Sequence, residues 1–347
     1  MRDIVRAGIL GASGYTGADL VRLLATHTGV SINLMTANSH AGKPMAEVYP
    51  HLGGLNLPDL IKWEDADWSD LDVVFCGLPH GTTQEIIATL PDKVKVVDLS
   101  ADFRLRNPDT YAEWYGHEHR APHLQKEAVY GLSELNREPI HKARLVACPG
   151  CYPTATLLAL VPLAQKQVIL PDDLIVDAKS GVTGAGRAVK EATLFSEVAE
   201  GMHPYSVSRH RHSPEIEQEV GNAFRQEVNV NFTPHLVPMN RGELVTCYVK
   251  MAQGTDVATL RSTLAERYKD EPFVRVLPEG ATPATRHVRG SNFCLIGVFA
   301  DRIPGRAIVI ATIDNLVKGS SGQAIQNMNL MFGLPETMGL EQQPLFP

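Results

Sequence analysis

The stretch CPGCYPTATLLAL, residues 148 to 160, places two cysteines three positions apart, directly ahead of an apolar run. Such a pair can be half of a zinc site, a redox dithiol, or one reactive thiol beside an unreactive one. A structural zinc site needs a second pair of ligands. The other three cysteines each stand alone in an apolar, strand-like context, in VVFCGL, LVTCYV and NFCLIG. We therefore predict no metal site and one reactive thiol.

Cys151 is the better candidate for that thiol. Pro153 suits the first turn of a helix, and the run ATLLAL continues it, so Cys151 is predicted to lie at a helix N-terminus. The unpaired N–H groups and the dipole of a helix N-terminus stabilise a thiolate, which is the nucleophilic form of cysteine. A structural cysteine would have the same spacing, so the stretch alone leaves both roles open.

A base for this thiol is predicted in HRHSPEIEQ, residues 210 to 218. Ser213 and Pro214 have the residue types of an N-cap and a first helical turn, which places Glu215 in that turn with His212 just ahead of it. Glu215 can then orient His212, giving a Cys–His–Glu arrangement. His210 is a rival, because alternate residues of an extended segment share a face. A basic loop that contacts solvent or an anion is the other interpretation.

The N-terminal segment has the pattern of a dinucleotide-binding turn. VRAGIL, residues 5 to 10, is predicted to be a buried strand, and the run ADLVRLLATH has helical spacing. The glycine-rich turn between them, GASGYTG, is a variant of the usual fingerprint. A turn built from small residues is the alternative. The candidate cofactor-binding residues of the turn are Gly11, Ser13, Gly14, Tyr15, Thr16 and Gly17.

The second predicted strand indicates which dinucleotide binds. An acidic residue at the end of that strand would hold the ribose hydroxyls of NAD. SINLMT, residues 31 to 36, is followed by no Asp or Glu until Glu47. Ser39, with its neighbours, can instead face a 2′-phosphate. This pattern favours NADP(H) as the cofactor.

Two domains are predicted, with an overall α/β fold class. Alternating segments such as DVVFCGLPHG and VKVVDLSADF extend the first domain, whereas VNVNFTPHLVP and ELVTCYVKMA predict a largely antiparallel sheet after residue 150. We expect a Rossmann-type dinucleotide-binding domain over residues 1–150, completed by a C-terminal helix over 318–347. An α+β catalytic and oligomerisation domain is expected over 151–317.

Composition excludes several classes of protein. The 347 residues are 44% hydrophobic and 20% charged, as in globular proteins, and the net charge of -7 argues against nucleic acid or anionic membrane as a partner. No apolar run approaches the roughly 18 residues that cross a bilayer. Five scattered cysteines do not form a disulfide framework. We predict a cytoplasmic enzyme.

Six motifs together carry a family resemblance, namely GASGYTG, PGCYPTA, KSGVTGAGR, HRHSPEIEQ, FTPHLVPMNRG and GSSGQAIQNMN. The combination resembles the N-acetyl-gamma-glutamyl-phosphate reductase family of arginine biosynthesis, over essentially the whole chain. The resemblance implies NADPH as hydride donor and a small acyl phosphate as substrate. It also implies a thioacyl intermediate on the cysteine and release of phosphate. A homo-oligomer, dimer or tetramer, is expected.

The resemblance also implies roles for single residues. Cys151 matches the nucleophile and His212 the acid/base, while Cys148 is expected to have no chemical role. Gly322 and Asn327 fall where the family holds the nicotinamide end. In KSGVTGAGR, Ser180 is expected at the substrate and Gly184 at the cofactor. Further substrate candidates are Arg104 for the phosphate, by likeness to aspartate-semialdehyde dehydrogenases, and Arg187 for the acetylated amino acid.

Three alternative functions stay open on the sequence. Aspartate-semialdehyde dehydrogenase shares the fold and chemistry, but its relatives usually carry a histidine after a late glycine, where Gly242 is followed by Glu243. A lysine-pathway aminoadipyl-phosphate reductase would need a basic surface for its carrier, which the negative net charge disfavours. A non-catalytic NADP-binding regulator would have no reason to keep Cys151 and His212 together.

Overall fold

The structure is a computed structural model that describes residues 4–346. The chain forms two compact units. The first comprises residues 4–149 together with 320–341, and the second comprises residues 150–319 together with 342–346.

The first unit is built on a seven-stranded parallel sheet in the order β3-β2-β1-β4-β5-β7-β6. Its strands are β1 Val5–Leu10, β2 Val30–Thr36, β3 Leu60–Ile61, β4 Val73–Cys76, β5 Lys95–Asp98, β6 Val129–Tyr130 and β7 Leu145–Ala147. Its helices before residue 150 are α1 Tyr15–Leu24, α2 Met45–Val48, α3 Thr83–Thr89, α4 Pro108–Tyr115, α5 Pro122–Gln125 and α6 Ser133–Lys142. Every residue of β4 and β7 is buried, as expected for a parallel sheet covered on both faces.

The predicted Rossmann-type order is confirmed at the start of the chain. VRAGIL forms β1, the glycine turn follows, and α1 begins at Tyr15. The crossover returns to β2, which lies parallel to β1, with β4 on the other side of β1. Because β1 is central, its carboxyl end and the glycine turn lie where the strand order reverses, the usual ligand edge of such sheets.

The second unit is built on a mixed seven-stranded sheet in the order β12-β13-β14-β11-β8-β10-β9. Its strands are β8 Leu174–Gly181, β9 His203–Pro204, β10 Val230–Val237, β11 Glu243–Lys250, β12 Val274–Val276, β13 Cys294–Ala300 and β14 Arg306–Ile313. Its helices are α7 Cys151–Gln165, α8 Phe195–Val198, α9 Ser213–Phe224 and α10 Val257–Tyr268. The predicted, largely antiparallel character is confirmed: among the strand pairs described for this sheet, only β8–β10 and β12–β13 are parallel.

One face of this second sheet is covered by helices and the other is only half-buried. Along β11, buried and half-buried residues alternate strictly, and α7 packs on the buried face of β11 and β14. Residues 152–164 of α7 are all buried, so this helix is apolar on every side and forms the centre of the unit.

The C-terminal segment differs from the expectation of one helix over residues 318–347. A π-helical turn, Val317–Ser321, leads into α11, Gly322–Met331, and α11 packs on α6 of the first unit. The helix ends there because Gly333 adopts a φ of +62° and Pro335 follows, and both residues stop helices. Residues 342–346 group with the second unit.

Candidate active site

Cys151 is the first residue of α7, as the sequence predicts, with Gly150 as the N-cap. The thiol is half-buried, whereas the other four cysteines are buried in the cores of the units. Gly150 brings no side chain to the cap, so the first amide groups of α7 are not capped by it. A half-buried thiol at a helix N-terminus has the surroundings that favour a thiolate.

Glu215 and His212 both lie against the backbone that precedes the thiol. The Gly150 N–H donates to Oε1 of Glu215 at 2.9 Å, and Glu215 is buried. A Cβ built on Gly150 would collide with His212, and Nε2 is the ring atom nearest to it. The absence of a side chain at residue 150 therefore allows the imidazole to pack directly beside the start of α7, with Nε2 as the ring atom nearest to residue 150.

Helix α9 holds these two residues, although it begins one residue differently from the prediction. The helix starts at Ser213, and His212 itself occupies the N-cap position, with Pro214 in the first turn. Ser213 is therefore the first helical residue, and its side chain does not cap the helix. His212 and Glu215 stand three positions apart across this helix start, so both can reach the same stretch of backbone.

His210 lies beside His212 but in a different environment. Its ring centroid is 4.7 Å from that of His212, and it also makes edge-to-face contacts with Tyr152, Tyr205 and Phe232. Its Nδ1 accepts the His212 amide at 3.1 Å. Burial among these rings, with a smaller effect of the Arg211 charge, lowers the pKa of His210 to about 4. His210 is therefore a neutral acceptor at neutral pH.

Two further residues at the cysteine were not predicted from the sequence. A Cβ on Gly319 would lie 2.8 Å from the Cys151 Cβ, so the chain at Gly319 packs directly against Cys151. Glu243, at the first position of β11, is fully buried; burial raises the pKa of its carboxyl to about 8, while an interaction with the Cys151 side chain lowers it. The only sequence signal was a carboxylate opening the apolar run ELVTCYV.

The loop after β8 contains the three candidates Ser180, Gly184 and Arg187. Ser180 is buried and lies opposite Glu243 in the β8–β11 register, so it belongs to the same end of the sheet as Cys151. Gly184 lies in a short 3₁₀ turn, where an added Cβ would come within 3.2 Å of the Ser180 Oγ. Arg187 is exposed, in an exposed stretch that follows the turn.

The glycine turn of the first unit is shaped for close approach by a ligand. Gly11 has a φ of +84°, and a Cβ on it would lie 2.8 Å from the Gly77 carbonyl oxygen. A Cβ on Gly17 would lie 2.6 Å from the Gly11 oxygen, so both positions require glycine. Gly14, the N-cap of α1, is open: the nearest atom to an added Cβ is 3.5 Å away.

The remaining turn residues surround the start of α1. Tyr15 and Thr16 open the helix, and Thr16 Oγ1 lies 3.3 Å from Ser320 Oγ. The carbonyl of Ser13 accepts from Tyr49 at 3.0 Å. After β2, Ser39 is exposed and hydrogen-bonds His40. A dinucleotide fits this arrangement, because its pyrophosphate can approach the bare helix N-terminus without meeting a side chain.

Asn327 and Arg104 are committed to contacts within the first unit. Asn327 is fully buried; it accepts from Ser133 Oγ at 2.7 Å and donates to the Gly131 carbonyl at 2.8 Å. Arg104 is buried and donates to the carbonyls of Cys148 and Leu99, at 2.7 and 3.0 Å. These contacts stabilise the unit, and the expected ligand roles of both residues stay predictions. Gly322 is the first residue of α11.

Residues 4–346 contain neither a candidate transmembrane helix nor a candidate metal site. Across this range no helix is both long and apolar enough to cross a membrane. The same residues contain no cluster of three or more histidine, cysteine or carboxylate side chains suited to a metal ion.

Comparison with known proteins identifies the family. Residues 6–143 match the family model described as semialdehyde dehydrogenase, NAD binding domain, and residues 151–315 match semialdehyde dehydrogenase, dimerisation domain. An N-acetyl-gamma-glutamyl-phosphate reductase of Rhodospirillum rubrum is 60% identical, covering 100% of both chains. The chain belongs to the N-acetyl-gamma-glutamyl-phosphate reductase family. A probable chloroplastic member of this family from Arabidopsis thaliana is also 60% identical, over 99% of this chain and 86% of that protein.

Solved structures confirm the fold that this family shares with a wider group. Aspartate semialdehyde dehydrogenase II of Vibrio cholerae, complexed with ASA, superposes with a TM-score of 0.71 at 18% identity, covering 95% of this chain and 98% of that one. Aspartate semialdehyde dehydrogenase of Candida albicans, with NADP, has a TM-score of 0.70 at 16% identity, covering 95% and 99%. The predicted combination of a Rossmann-type domain and an α+β domain is thereby confirmed.

Proposed function

We propose that the protein reduces N-acetyl-gamma-glutamyl phosphate to N-acetyl-glutamate semialdehyde with NADPH, releasing phosphate through a thioacyl intermediate on Cys151. The family of the chain supports the substrate, since relatives at 60% identity bear this activity in their names. The observation that carries the chemistry is the contact of Glu215 and His212 with Gly150, one residue before a half-buried thiol. Nucleophile, imidazole and carboxylate thus meet at one helix start.

The first step is acyl transfer to the thiol. The Cys151 thiolate attacks the carbonyl carbon, the C–S bond forms, and the C–O bond to phosphate breaks with phosphate leaving as the anion. The N-terminal amides of α7 are the donors available to the oxyanion that develops, because the N-cap Gly150 has no side chain to occupy them. An acyl phosphate is already activated, so no further electrophile is needed.

His212 handles the proton of the second step. This step needs a hydride at the carbonyl carbon of the thioacyl group, which NADPH would supply when bound at the glycine turn. His212 donates a proton to the carbonyl oxygen and takes it back as the C–S bond breaks, which frees the aldehyde and restores the thiolate. Glu215 holds the Gly150 backbone through Oε1 and so fixes the geometry of the pair.

The neutral state of His210 supports His212 as the acid/base. A pKa of about 4 leaves His210 unprotonated across the neutral range, and its Nδ1 is occupied by the His212 amide. His210 therefore acts on the shape of the site, and the proton role goes to its neighbour.

The glycine turn supports NADP(H) as the cofactor. Gly11, Gly14 and Gly17 leave the N-terminus of α1 open to a pyrophosphate. After β2, Ser39 offers a hydroxyl in place of the acidic residue that would select NAD.

The test is an assay in the reverse direction with N-acetyl-glutamate semialdehyde, phosphate and NADP. We expect turnover that requires phosphate, and NADP to be preferred to NAD. Aspartate semialdehyde is the matched control, because it would undergo the same chemistry with a different amino-acid end. Faster turnover of aspartate semialdehyde would contradict the proposed substrate, and turnover without phosphate would contradict the acyl-phosphate reaction.

We also propose a homo-oligomer, dimer or tetramer, formed through the half-buried face of the second sheet. Leu244, Thr246 and Tyr248 of β11 and Ile308 and Ile310 of β14 share this face. Tyr248→Glu places a charge at its centre and should lower the mass measured by light scattering to that of a smaller assembly. An unchanged mass would show that this face is not the interface. A cytoplasmic location stays a prediction.

A further inference from the structure

Asp102 carries a buried carboxyl group of the first unit that the proposed mechanism has not used. It lies in the loop between β5 and α4, and its exposed fraction is 0%. Within residues 4–346, four hydrogen bonds converge on its two side-chain oxygens, all from donors outside that loop. A buried carboxyl group is destabilising unless it is hydrogen-bonded, so these bonds explain how the fold tolerates it. The positions of the donors indicate what Asp102 does.

Three of the four bonds reach Asp102 from one side, from the segment that joins β4 to α3. The Gly81 N–H donates to Oδ1 at 2.6 Å. The N–H and the hydroxyl of Thr83 both donate to Oδ2, at 3.2 and 2.6 Å. Thr83 is the first residue of α3, so its N–H is one of those that a helix leaves unpaired. The fourth bond comes from the Tyr111 hydroxyl, on α4, at 2.7 Å.

The other end of this segment lies against the glycine turn. Residues 77–82, which we call the β4 loop, leave the sheet at the carboxyl end of β4, next to that of β1. The Gly77 N–H donates to the Leu10 carbonyl at 2.8 Å. A Cβ on Gly11 would lie 2.8 Å from the Gly77 oxygen and 3.1 Å from Leu78 Cδ2. The β4 loop therefore begins in contact with the turn, at the edge of the sheet where ligands bind.

The β4 loop is thus fixed at both of its ends. Gly77 is held by the continued pairing of β4 with β1, and Gly81 is held by Asp102. Gly81 has a φ of +80°, and a Cβ on it would lie 2.7 Å from His117 Nε2, so this position requires glycine. Between the two ends, residues 78–82 are exposed or half-buried and can meet a ligand at the sheet edge.

We propose that Asp102 is a positioning residue for the cofactor, which holds the β4 loop beside the glycine turn as a second wall of the dinucleotide site. The proposal rests on the NADP(H) binding proposed above. Asp102 is buried, so it acts through the loop and not by touching the cofactor. Its bonds keep the loop in the arrangement that receives the cofactor before the cofactor arrives. Weakening them lowers the fraction of protein in that arrangement, and the apparent Kd rises in proportion.

The experiment measures the Kd for NADPH by calorimetric titration of the full chain without substrate. Thr83→Val removes the hydroxyl donor and keeps the branching of the side chain, whereas Thr83→Ser keeps the donor. The Kd of Thr83→Val should lie about tenfold above that of the wild type, since one hydrogen bond to a carboxylate shifts an equilibrium by roughly this factor. The Kd of Thr83→Ser should stay close to the wild type. Asp102→Asn turns an amide NH₂ toward one pair of donors, so its Kd should rise at least as much as that of Thr83→Val.

Tyr111→Phe is the matched control for a structural role of Asp102. It removes a hydrogen bond to the same carboxyl group, but from a donor on α4. Its melting temperature should fall about as much as that of Thr83→Val, while its Kd for NADPH stays within about twofold of the wild type. In steady-state kinetics Thr83→Val should raise the KM for NADPH and keep the wild-type kcat at saturating NADPH.

The outcomes separate this proposal from the proposed function. An unchanged Kd in Thr83→Val, or equal rises in Thr83→Val and Tyr111→Phe, would overturn the positioning role of Asp102, whatever the enzyme reduces. Weaker NADPH binding in Thr83→Val alone, in a protein that does not turn over N-acetyl-glutamate semialdehyde, would overturn the proposed function and leave the role of Asp102 supported. A wild-type protein that binds no NADPH would overturn both.

Discussion

The N-termini of helices α1 and α7 are preceded by the same local structure but differ in the side chains that surround them. Both follow a buried strand and a glycine N-cap, Gly14 in one case and Gly150 in the other. The start of α1 is bare, with no acidic residue in its first turn and open space at Gly14. The start of α7 is occupied by His212, Glu215 and Glu243.

The difference teaches how one structural device serves two kinds of chemistry. A bare N-terminus offers its unpaired N–H groups and positive dipole end to an anion brought from outside, here the cofactor pyrophosphate. An occupied N-terminus applies the same field to a side chain of its own, the Cys151 thiol, and under the proposed function the side chains around that thiol bind and release protons. The predictions below alter one terminus at a time.

The largest effect is expected at the occupied terminus from Cys151→Ser. A serine hydroxyl is not ionised by these surroundings, so kcat should fall by at least about ten-thousandfold, as for deleted nucleophiles. Steady-state kinetics with a thermal melt checks this, and folding should be unchanged. Cys148→Ser is the matched control and should keep activity close to the wild type. The opposite pattern, with Cys148→Ser inactive, would assign the nucleophile to the other cysteine of the pair.

The next effect distinguishes the two histidines. His212→Asn should lower kcat by roughly a hundredfold to ten-thousandfold, because a positioned proton donor is lost. His210→Asn should act mainly on KM, since a histidine whose pKa is about 4 exchanges no proton near neutrality. Kinetics of both variants from pH 6 to 9 makes the comparison. Near-normal kcat in His212→Asn together with collapse in His210→Asn would transfer the role to His210.

At the bare terminus, Gly14→Asp makes α1 resemble α7. Gly14 has a φ of −79° and a ψ of 169°, which aspartate adopts without strain, and aspartate is a favoured N-cap. The fold should hold, but the carboxylate would repel the pyrophosphate, and the KM for NADPH should rise roughly a hundredfold. Gly14→Ser, which caps the helix without charge, is the control. An equal rise in KM in both variants would show that the added side chain blocks the pyrophosphate sterically and that its charge is not the cause.

The smallest effect concerns cofactor choice. Ser39→Asp introduces an acidic residue after β2. The ratio of kcat/KM for NADPH to that for NADH should fall by roughly tenfold, since the carboxylate repels a 2′-phosphate. The ratio of kcat/KM for the two cofactors is the measurement, with Ser39→Ala as the uncharged control. Equal use of both cofactors by the wild type would remove the basis of this prediction.

The sequence predicts what is local and misses what the fold assembles. The strand–glycine–helix order around Gly11 and the helix after Cys151 follow from residues within one turn of each other, and both are confirmed. Glu243 reaches Cys151 only because β11 and α7 pack together, so spacing could not reveal it. The aromatic surroundings that separate His210 from His212 come from distant segments for the same reason.

The C-terminal segment shows a second limit of prediction from sequence. The resemblance implies one helix over residues 318–347, but the helix ends at Met331, shortly before Gly333 and Pro335. Asn327, in the motif that carries the family resemblance, is buried with its amide bonded to Ser133 and Gly131. A motif residue can thus be required by the fold of its unit, which the motif alone does not reveal.

Cys151, the proposed nucleophile, is the first residue of the deeply buried helix α7, in which residues 152–164 have no exposed side chain. Elements of this kind exchange their amide hydrogens only when the whole unit opens. The thiol is joined directly to this buried run, so we expect its position to be lost together with the fold of the unit. The loss of activity on heating and the unfolding of this unit should therefore follow one curve. The rate at which α7 takes up deuterium should match the rate at which activity is lost.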